Sequence, residues 1–191
     1  MQENSAIVLL GAMFAALIAG FFAFTNLIAS KENKISEFRQ DWINALRASI
    51  SVYISSLTYL SSVYKHYLNR PEENRDKFEM ARDVENVYAK VNESYNDIIF
   101  RINDSEKSIN EKALNDAFLE ALQRTREHYN RNELAEARNA CDPLREATKP
   151  LLKYEWKRVK AGELNYRISK YFAVLVLICG LLATGLNLHF V

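Results

Sequence analysis

The stretch "RTREHYNR" holds the residues of this chain that are best suited to chemistry. It contains Arg124, Arg126 and His128, so a titratable imidazole follows two permanent positive charges within one helical turn. Histidine is the side chain most often used in acid–base catalysis, and arginine can stabilise negative charge that develops in a transition state. The pattern predicts either a catalytic pair of Arg124 or Arg126 with His128, or a charged and solvated helix face, which has the same composition.

Other patterns of catalysis are absent from the sequence. It has no glycine-rich phosphate loop, no serine nucleophile elbow and no metal-ligand spacing of Cys and His. Cys141 lies in a polar segment and Cys179 in an apolar one, which indicates two reduced thiols rather than a disulfide. We therefore expect a protein without enzymatic activity, metal or cofactor, and the net charge of +1 gives no reason to expect a nucleic acid partner.

Two charge-free segments define the organisation of the chain. Residues 6–30 and 171–191 contain no Asp, Glu, Lys or Arg, and roughly 20 apolar residues allow a helix to cross a bilayer. The first segment follows "MQENS", which lacks the basic residues of a signal peptide, so it is predicted to be retained. Lys and Arg flank both segments only on the side of the middle residues, which places both termini outside. We predict an external tail at 1–5, transmembrane helices at 6–30 and 171–191, and a cytosolic domain at 31–170.

Small residues recur at four-residue spacing in both apolar segments. Ala12, Ala16 and Gly20 form a row in the first segment, and Gly180 and Thr184 form a shorter one in the second. Such rows let helix backbones approach closely, which predicts an interface within the chain or between subunits. The alternative is that alanine is simply common in membrane helices.

Polar residues inside the apolar segments are few and none is ionisable at mid-depth. Thr25, Asn26 and Asn187 are the candidates for lining a pore. The absence of an ionisable group argues against a proton relay or an ion-coupled transporter, and leaves a passive pore or a simple anchor. Because two apolar helices cannot enclose a path for water, a pore would need several subunits.

The first half of the middle region has the periodicity of long helices. Apolar residues recur every three or four positions from residue 35 to 67, which predicts one helix running from the first span to Asn69. Pro71 and the two glutamates after it are typical of a helix start. The helix that follows is predicted to end at "NDSEKS".

The second half is predicted to hold shorter helices. Asp104 or Ser105 would cap a helix that ends near Tyr129, "YNRNE" would be a break, and Asn132 would cap a segment at 134–140. Pro143 would begin another segment, and a polar helix at 150–170 would lead into the second span. The fold class is all-α: a two-span transmembrane hairpin whose helices extend into a cytosolic helical bundle. The third helix is predicted to bury Ile109, Ala113, Ala117, Phe118, Ala121 and Leu122.

The segments that join the spans to the bundle are rich in aromatic and basic residues. At ~1.5 Å per residue, Trp42 and Trp156 would both lie ~18–21 Å from the membrane if their helices are continuous. We therefore predict that the two rings are buried in one packing layer, which we call the neck. Its predicted packing residues are Phe38, Arg39, Trp42, Leu46, Arg47 and Trp156.

The neck sequences "EFRQDWINALR" and "EWKRVKAGE", with the apolar segments beside them, resemble a group of uncharacterised bacterial two-span membrane proteins. This resemblance implies a multi-pass protein of the bacterial inner membrane, with both termini in the periplasm. The architecture is also similar to the membrane pore protein family that accompanies RNA-targeting CRISPR systems, in which a membrane segment and a HEPN-like helical domain form a ring. In HEPN ribonucleases an Arg-x(4–6)-His motif supplies the acid–base histidine and an arginine for the phosphorane, whereas Arg124 and His128 here enclose three residues.

Together these features predict a non-enzymatic membrane protein that self-assembles through its spans and neck, with an oligomeric pore as one form of that assembly. The expected partners are the lipid bilayer and further copies of the chain, and an unknown cytosolic partner is a further option. Two alternatives stay open at this point: a membrane-anchored HEPN-like ribonuclease, and a passive membrane scaffold for a cytosolic partner.

Overall fold

A computed structural model describes residues 2–102, 108–161 and 164–189. Within these residues every regular element is helical and no strand is present, which confirms the all-α prediction. The elements in chain order are α1 (Gln2–Leu68), a short 3-10 helix (Glu72–Asn74), α2 (Lys77–Arg101), α3 (Ile109–Asn130), α4 (Leu134–Ala161) and α5 (Leu164–His189).

Helix α1 is continuous, as its periodicity predicts. It includes residues 2–5, the predicted tail, and ends at Leu68, where the amide of Asn69 bonds to the carbonyls of Lys65 and His66. The guanidinium of Arg75 then folds back and donates to the carbonyls of Leu68 and Arg70, at 2.7 and 2.8 Å. These bonds satisfy carbonyls that a helix end leaves without partners.

The predicted helix start at Pro71 is wrong. Pro71 precedes only the 3-10 helix, and α2 begins at Lys77. The reason is a better N-cap further along: the carboxylate of Asp76 accepts from the amides of Phe78 and Glu79 at 2.8 and 3.2 Å. An aspartate in this position satisfies two of the four free amides of a first turn.

The N-cap of α3 is Ser108, whose hydroxyl accepts from the amide of Glu111 at 3.1 Å. The predicted caps, Asp104 and Ser105, lie outside the described residues. The predicted break after α3 is confirmed at residues 131–133. Asn132 there has a φ of 59°, in the left-handed region that asparagine tolerates better than most residues.

The predicted division of the next segment at Pro143 is also wrong, because α4 runs through both Pro143 and Pro150. A proline in a helix leaves the carbonyl four residues earlier without its amide partner. Here both prolines, and the residues four before them, Asn139 and Glu146, are exposed. Water can therefore bind the two free carbonyls, which lowers the cost of continuing the helix.

The chain divides into two compact units, which we call the terminal unit (Met1–Arg39 with Arg158–Val191) and the middle unit (Gln40–Lys157). In the middle unit one face each of α1, α2, α3 and α4 forms a shared apolar core. The prediction for α3 holds for Phe118 and Leu122 but is wrong for Ile109, Ala113 and Ala117, which are exposed. The fully buried core side chains include Leu46, Tyr53, Leu57, Val84, Val91, Ile98, Phe118, Leu122, Cys141, Leu144 and Leu151.

The terminal unit contains the apolar parts of α1 and α5. Among the described residues, one helix segment, Phe14–Leu68 within α1, is long and apolar enough over part of its length to cross a membrane. None of that apolar stretch is buried within the chain. Its outward side chains include Leu17, Phe22 and Leu27, and outward residues of α5 include Phe172, Leu175 and Leu182.

Candidate functional site

Trp42 joins α1 to the end of α2 in the middle unit. Its ring is half-buried and packs against the apolar core, and its Nε1 donates to the carbonyl of Arg101 at 3.0 Å. Arg101 is the last residue of α2, so this carbonyl is one of those that the helix cannot satisfy itself. Trp42 therefore caps α2 with a side chain that comes from α1.

A carboxylate next to this cap accepts three hydrogen bonds from two side chains. Asp97 accepts from Arg101 through both of its oxygens, at 2.7 and 2.9 Å, and it accepts a hydrogen bond from the hydroxyl of Ser49. The guanidinium of Arg101 and then the Ser49 hydroxyl lower the pKa of Asp97 below its ordinary value. This cluster adds a second link between α1 and α2, about two turns along α1 from Trp42.

The other predicted neck residues occupy varied surroundings. Leu46 is fully buried, whereas Arg47 is exposed and Arg39 is half-buried. The prediction that Trp156 is buried is wrong, since 39% of it is exposed, and Phe38 is 71% exposed. Trp42 packs against the core of the middle unit.

Two of the predicted catalytic residues, Arg124 and His128, are each paired with a different glutamate. The Nη2 of Arg124 lies 3.0 Å from Glu120, and the Nδ1 of His128 lies 2.7 Å from Glu133. The imidazole would have to give up this bond before Nδ1 could exchange a proton with a substrate. Arg124 is exposed, as are Glu120 and Glu127 beside it, so this side of α3 matches the solvated-face alternative.

Arg126 points in another direction, into the middle unit. Its guanidinium carbon lies 4.6 Å from the ring centre of Tyr95 and 5.0 Å from that of Tyr129. Such cation–π contacts stabilise a partly desolvated arginine. Its Nη1 is buried with no hydrogen-bond partner among the described residues. The arginine that the sequence offered as a partner for His128 is thus enclosed between two tyrosines.

The buried hydroxyl and thiol groups in this part of the middle unit are not activated for catalysis. The hydroxyl of Thr125 donates to the carbonyl of Leu122 at 2.6 Å, so it accepts from the hydroxyl of Tyr53 at 3.1 Å. Burial raises the pKa of Tyr53 to about 12 and that of the Cys141 thiol to about 11. Because a thiol attacks as its thiolate, Cys141 is not an activated nucleophile.

A shallow cavity of about 350 Å³ lies where α1 ends and α4 begins. It is lined by charges of both signs, with Lys65 and Arg138 beside Glu133 and Glu136. This mixture selects no single class of ligand. Among the described residues, no group of three His, Cys, Asp or Glu side chains could hold a metal ion.

The candidate interface and pore residues lie in the terminal unit. Ala12, Ala16 and Gly20 are exposed, and Gly180 is half-buried. The side chains of Thr184 and Asn187 lie outside the described part of the chain.

Thr25 and Asn26 line a cavity of about 300 Å³ between α1 and α5. The hydroxyl of Thr25 bonds to the carbonyls of Phe21 and Phe22, each at 3.0 Å. The hydroxyl thus donates to backbone carbonyls of its own helix, as serine and threonine hydroxyls within helices often do. The periodicity of the sequence could not identify this cavity, because its walls come from opposite ends of the chain.

Comparison with known proteins gives no relative of this chain: no protein family model matches it, and neither a curated protein nor a solved structure is significantly similar.

Proposed function

We propose that this chain is a non-enzymatic protein of the bacterial inner membrane that assembles with further copies of itself through its apolar helices and neck. In this proposal α1 and α5 both cross the bilayer as a hairpin, both termini are periplasmic, and residues 31–170 are cytoplasmic. An oligomeric pore is one form that the assembly can take.

The observation that carries the proposal is the apolar surface of α1 ahead of Lys31. Leu17, Phe22 and Leu27 are 65%, 58% and 69% exposed within the chain. Burying a side chain of this size is worth about 1.5–3 kcal/mol, so leaving all three exposed to water would be strongly unfavourable. Lipid tails or a second protein surface would cover them.

Self-assembly is supported by the exposed row of Ala12, Ala16 and Gly20. A Cβ atom placed on Gly20 would meet nothing within 4 Å, so this position is open to the backbone of another helix. Close approach of backbones along a row of small residues is how many membrane helices associate.

The ribonuclease alternative has weaker support, because Arg124 and His128 are paired with Glu120 and Glu133. The scaffold alternative is favoured by Phe78, which is 84% exposed at the start of α2 and could anchor a partner. A single exposed ring is common on protein surfaces, however, and does not define an interface.

Reporter fusions test the membrane topology. A reporter that is active only in the periplasm should be active when fused after Val191 and silent when inserted at Asp104. The reverse pattern would overturn the charge argument for orientation, and activity at neither site would argue that the second span does not cross.

The mass of the purified protein in mild detergent tests the assembly. We expect a defined oligomer, and Gly20→Ile should reduce its size because a branched side chain would separate the helix backbones. Phe22→Ile is the matched control, since residue 22 lies on the opposite side of α1 and should leave the oligomer intact. A strict monomer for the unaltered protein would refute self-assembly.

A further inference from the structure

The cavity between α1 and α5 in the terminal unit is lined by both polar and apolar residues. Its volume is about 300 Å³, which is the lower end of the range for small-molecule sites. The polar lining residues are Thr25, Asn26, Tyr166, Ser169 and Lys170, and the apolar ones are Phe21, Ile28, Ala29 and Val174.

The polar lining residues suit an anion. Lys170 supplies a positive charge, and the ion pairs found among the described residues do not include it. Asn26 and Ser169 add an amide and a hydroxyl that can donate hydrogen bonds. Because the Thr25 hydroxyl is used by its own helix, an anion in the cavity would be held by the other polar groups.

The apolar lining residues make a small soluble anion a poor fit. Phe21, Ile28 and Val174 offer an anion no hydrogen bonds, and a small anion would leave part of the cavity unfilled. A ligand with a charged head and a hydrocarbon portion would contact both kinds of residue. The cavity also lies where the charge-free segments end, at Ser30 and Tyr171, which is the level of lipid headgroups if both helices span.

We propose that this cavity binds the phosphate group and the first acyl carbons of an anionic phospholipid. The ammonium of Lys170 pairs with the phosphate, and Asn26 and Ser169 donate to its oxygens. The rest of the acyl chains lies along the exposed apolar surface, since the cavity is too small for a whole lipid. The inference rests on the proposed membrane location, and it names the lipid class that the terminal unit selects.

Native mass spectrometry of the full-length protein in mild detergent, with measured additions of lipid, tests this site. We expect phosphatidylglycerol to bind as one tightly held molecule per subunit, and phosphatidylcholine and inorganic phosphate to bind much more weakly. Lys170→Gln should weaken binding of phosphatidylglycerol about fivefold, which corresponds to the loss of one basic residue near anionic lipid. Arg167→Gln removes the same charge from an exposed residue of α5 that does not line the cavity, and should change binding little.

Val174→Phe adds an independent arm, because a larger side chain at this lining residue would fill part of the cavity and displace the acyl carbons without altering charge. Equal binding of the two lipids, or equal losses for Lys170→Gln and Arg167→Gln, would overturn the proposal. If inorganic phosphate bound as tightly as phosphatidylglycerol, the site would serve a free phosphate group and the lipid assignment would be wrong.

The same spectra separate this inference from the proposed function, because they also report subunit number. An oligomer that shows no preference for phosphatidylglycerol would refute the lipid site and leave self-assembly standing. A monomer that binds phosphatidylglycerol through Lys170 would refute self-assembly and support the lipid site.

Discussion

Replacement of Trp42 tests whether the link between α1 and α2 holds the middle unit together. Trp42→Phe retains an aromatic ring in the core but removes the Nε1 that donates to the carbonyl of Arg101. A hydrogen bond of this kind contributes about 0.5–1.5 kcal/mol net. Because the bond is only part-buried, water can replace some of it, and we expect a loss near 0.5–1 kcal/mol.

Trp42→Ala removes the packing as well. Truncating a fully buried tryptophan costs about 3–5 kcal/mol, and Trp42 is half-buried, so about 2–3 kcal/mol is expected by the same principle. For a protein of this size each kcal/mol lowers the melting temperature by roughly 2–4 °C. The phenylalanine variant should therefore melt about 1–4 °C lower and the alanine variant about 4–12 °C lower.

The assay is thermal unfolding of the full-length protein in mild detergent, followed by helical circular dichroism so that loss of an indole does not alter the signal. Trp156→Ala is the matched control, since it deletes the same side chain from a site that is 39% exposed, and it should cost less than Trp42→Ala. If Trp156→Ala were the more damaging of the two, or Trp42→Ala melted like the unaltered protein, the link to α2 would not be structural.

Three further predictions concern the middle unit. Arg101 and Ser49 hold the pKa of Asp97 below its ordinary value of 3.8. The ionised Asp97 therefore stabilises the fold above that pH, and this stability is lost as the pH falls through the folded-state pKa. Asp97→Asn should flatten this part of the acid unfolding curve. Cys141 should resist maleimide at neutral pH in the folded protein and react once unfolded, because burial raises its pKa to about 11, and rapid labelling of the native state would contradict this. His128→Ala should leave any cellular phenotype of the protein unchanged. Loss of that phenotype at a normal protein level would instead support the ribonuclease alternative.

Features that depend on neighbours along the chain could be predicted from the order of residues alone. The three- and four-residue recurrence of apolar residues was enough to predict that α1 continues to Leu68, and the run "YNRNE" was enough to place the break after α3. Both depend on contacts within a few residues, since helix propensity and amphipathicity are local properties. The order of residues did not identify the helix starts, because several residues near each start are suitable N-caps. Asp76 caps α2 in place of the start predicted at Pro71, and Ser108 caps α3.

Contacts between side chains that are far apart in the sequence became known from the packed helices. Trp42 and the carbonyl it caps are separated by 59 positions, and Tyr53 and Thr125 by 72, so no periodicity can pair them. The same applies to Arg126, because sequence spacing places it near His128 while the packing of α2 and α3 encloses it between tyrosines. Burial and long-range pairing are properties of the packed helices together, and they placed the Arg126 guanidinium against two tyrosine rings and left Trp156 partly exposed.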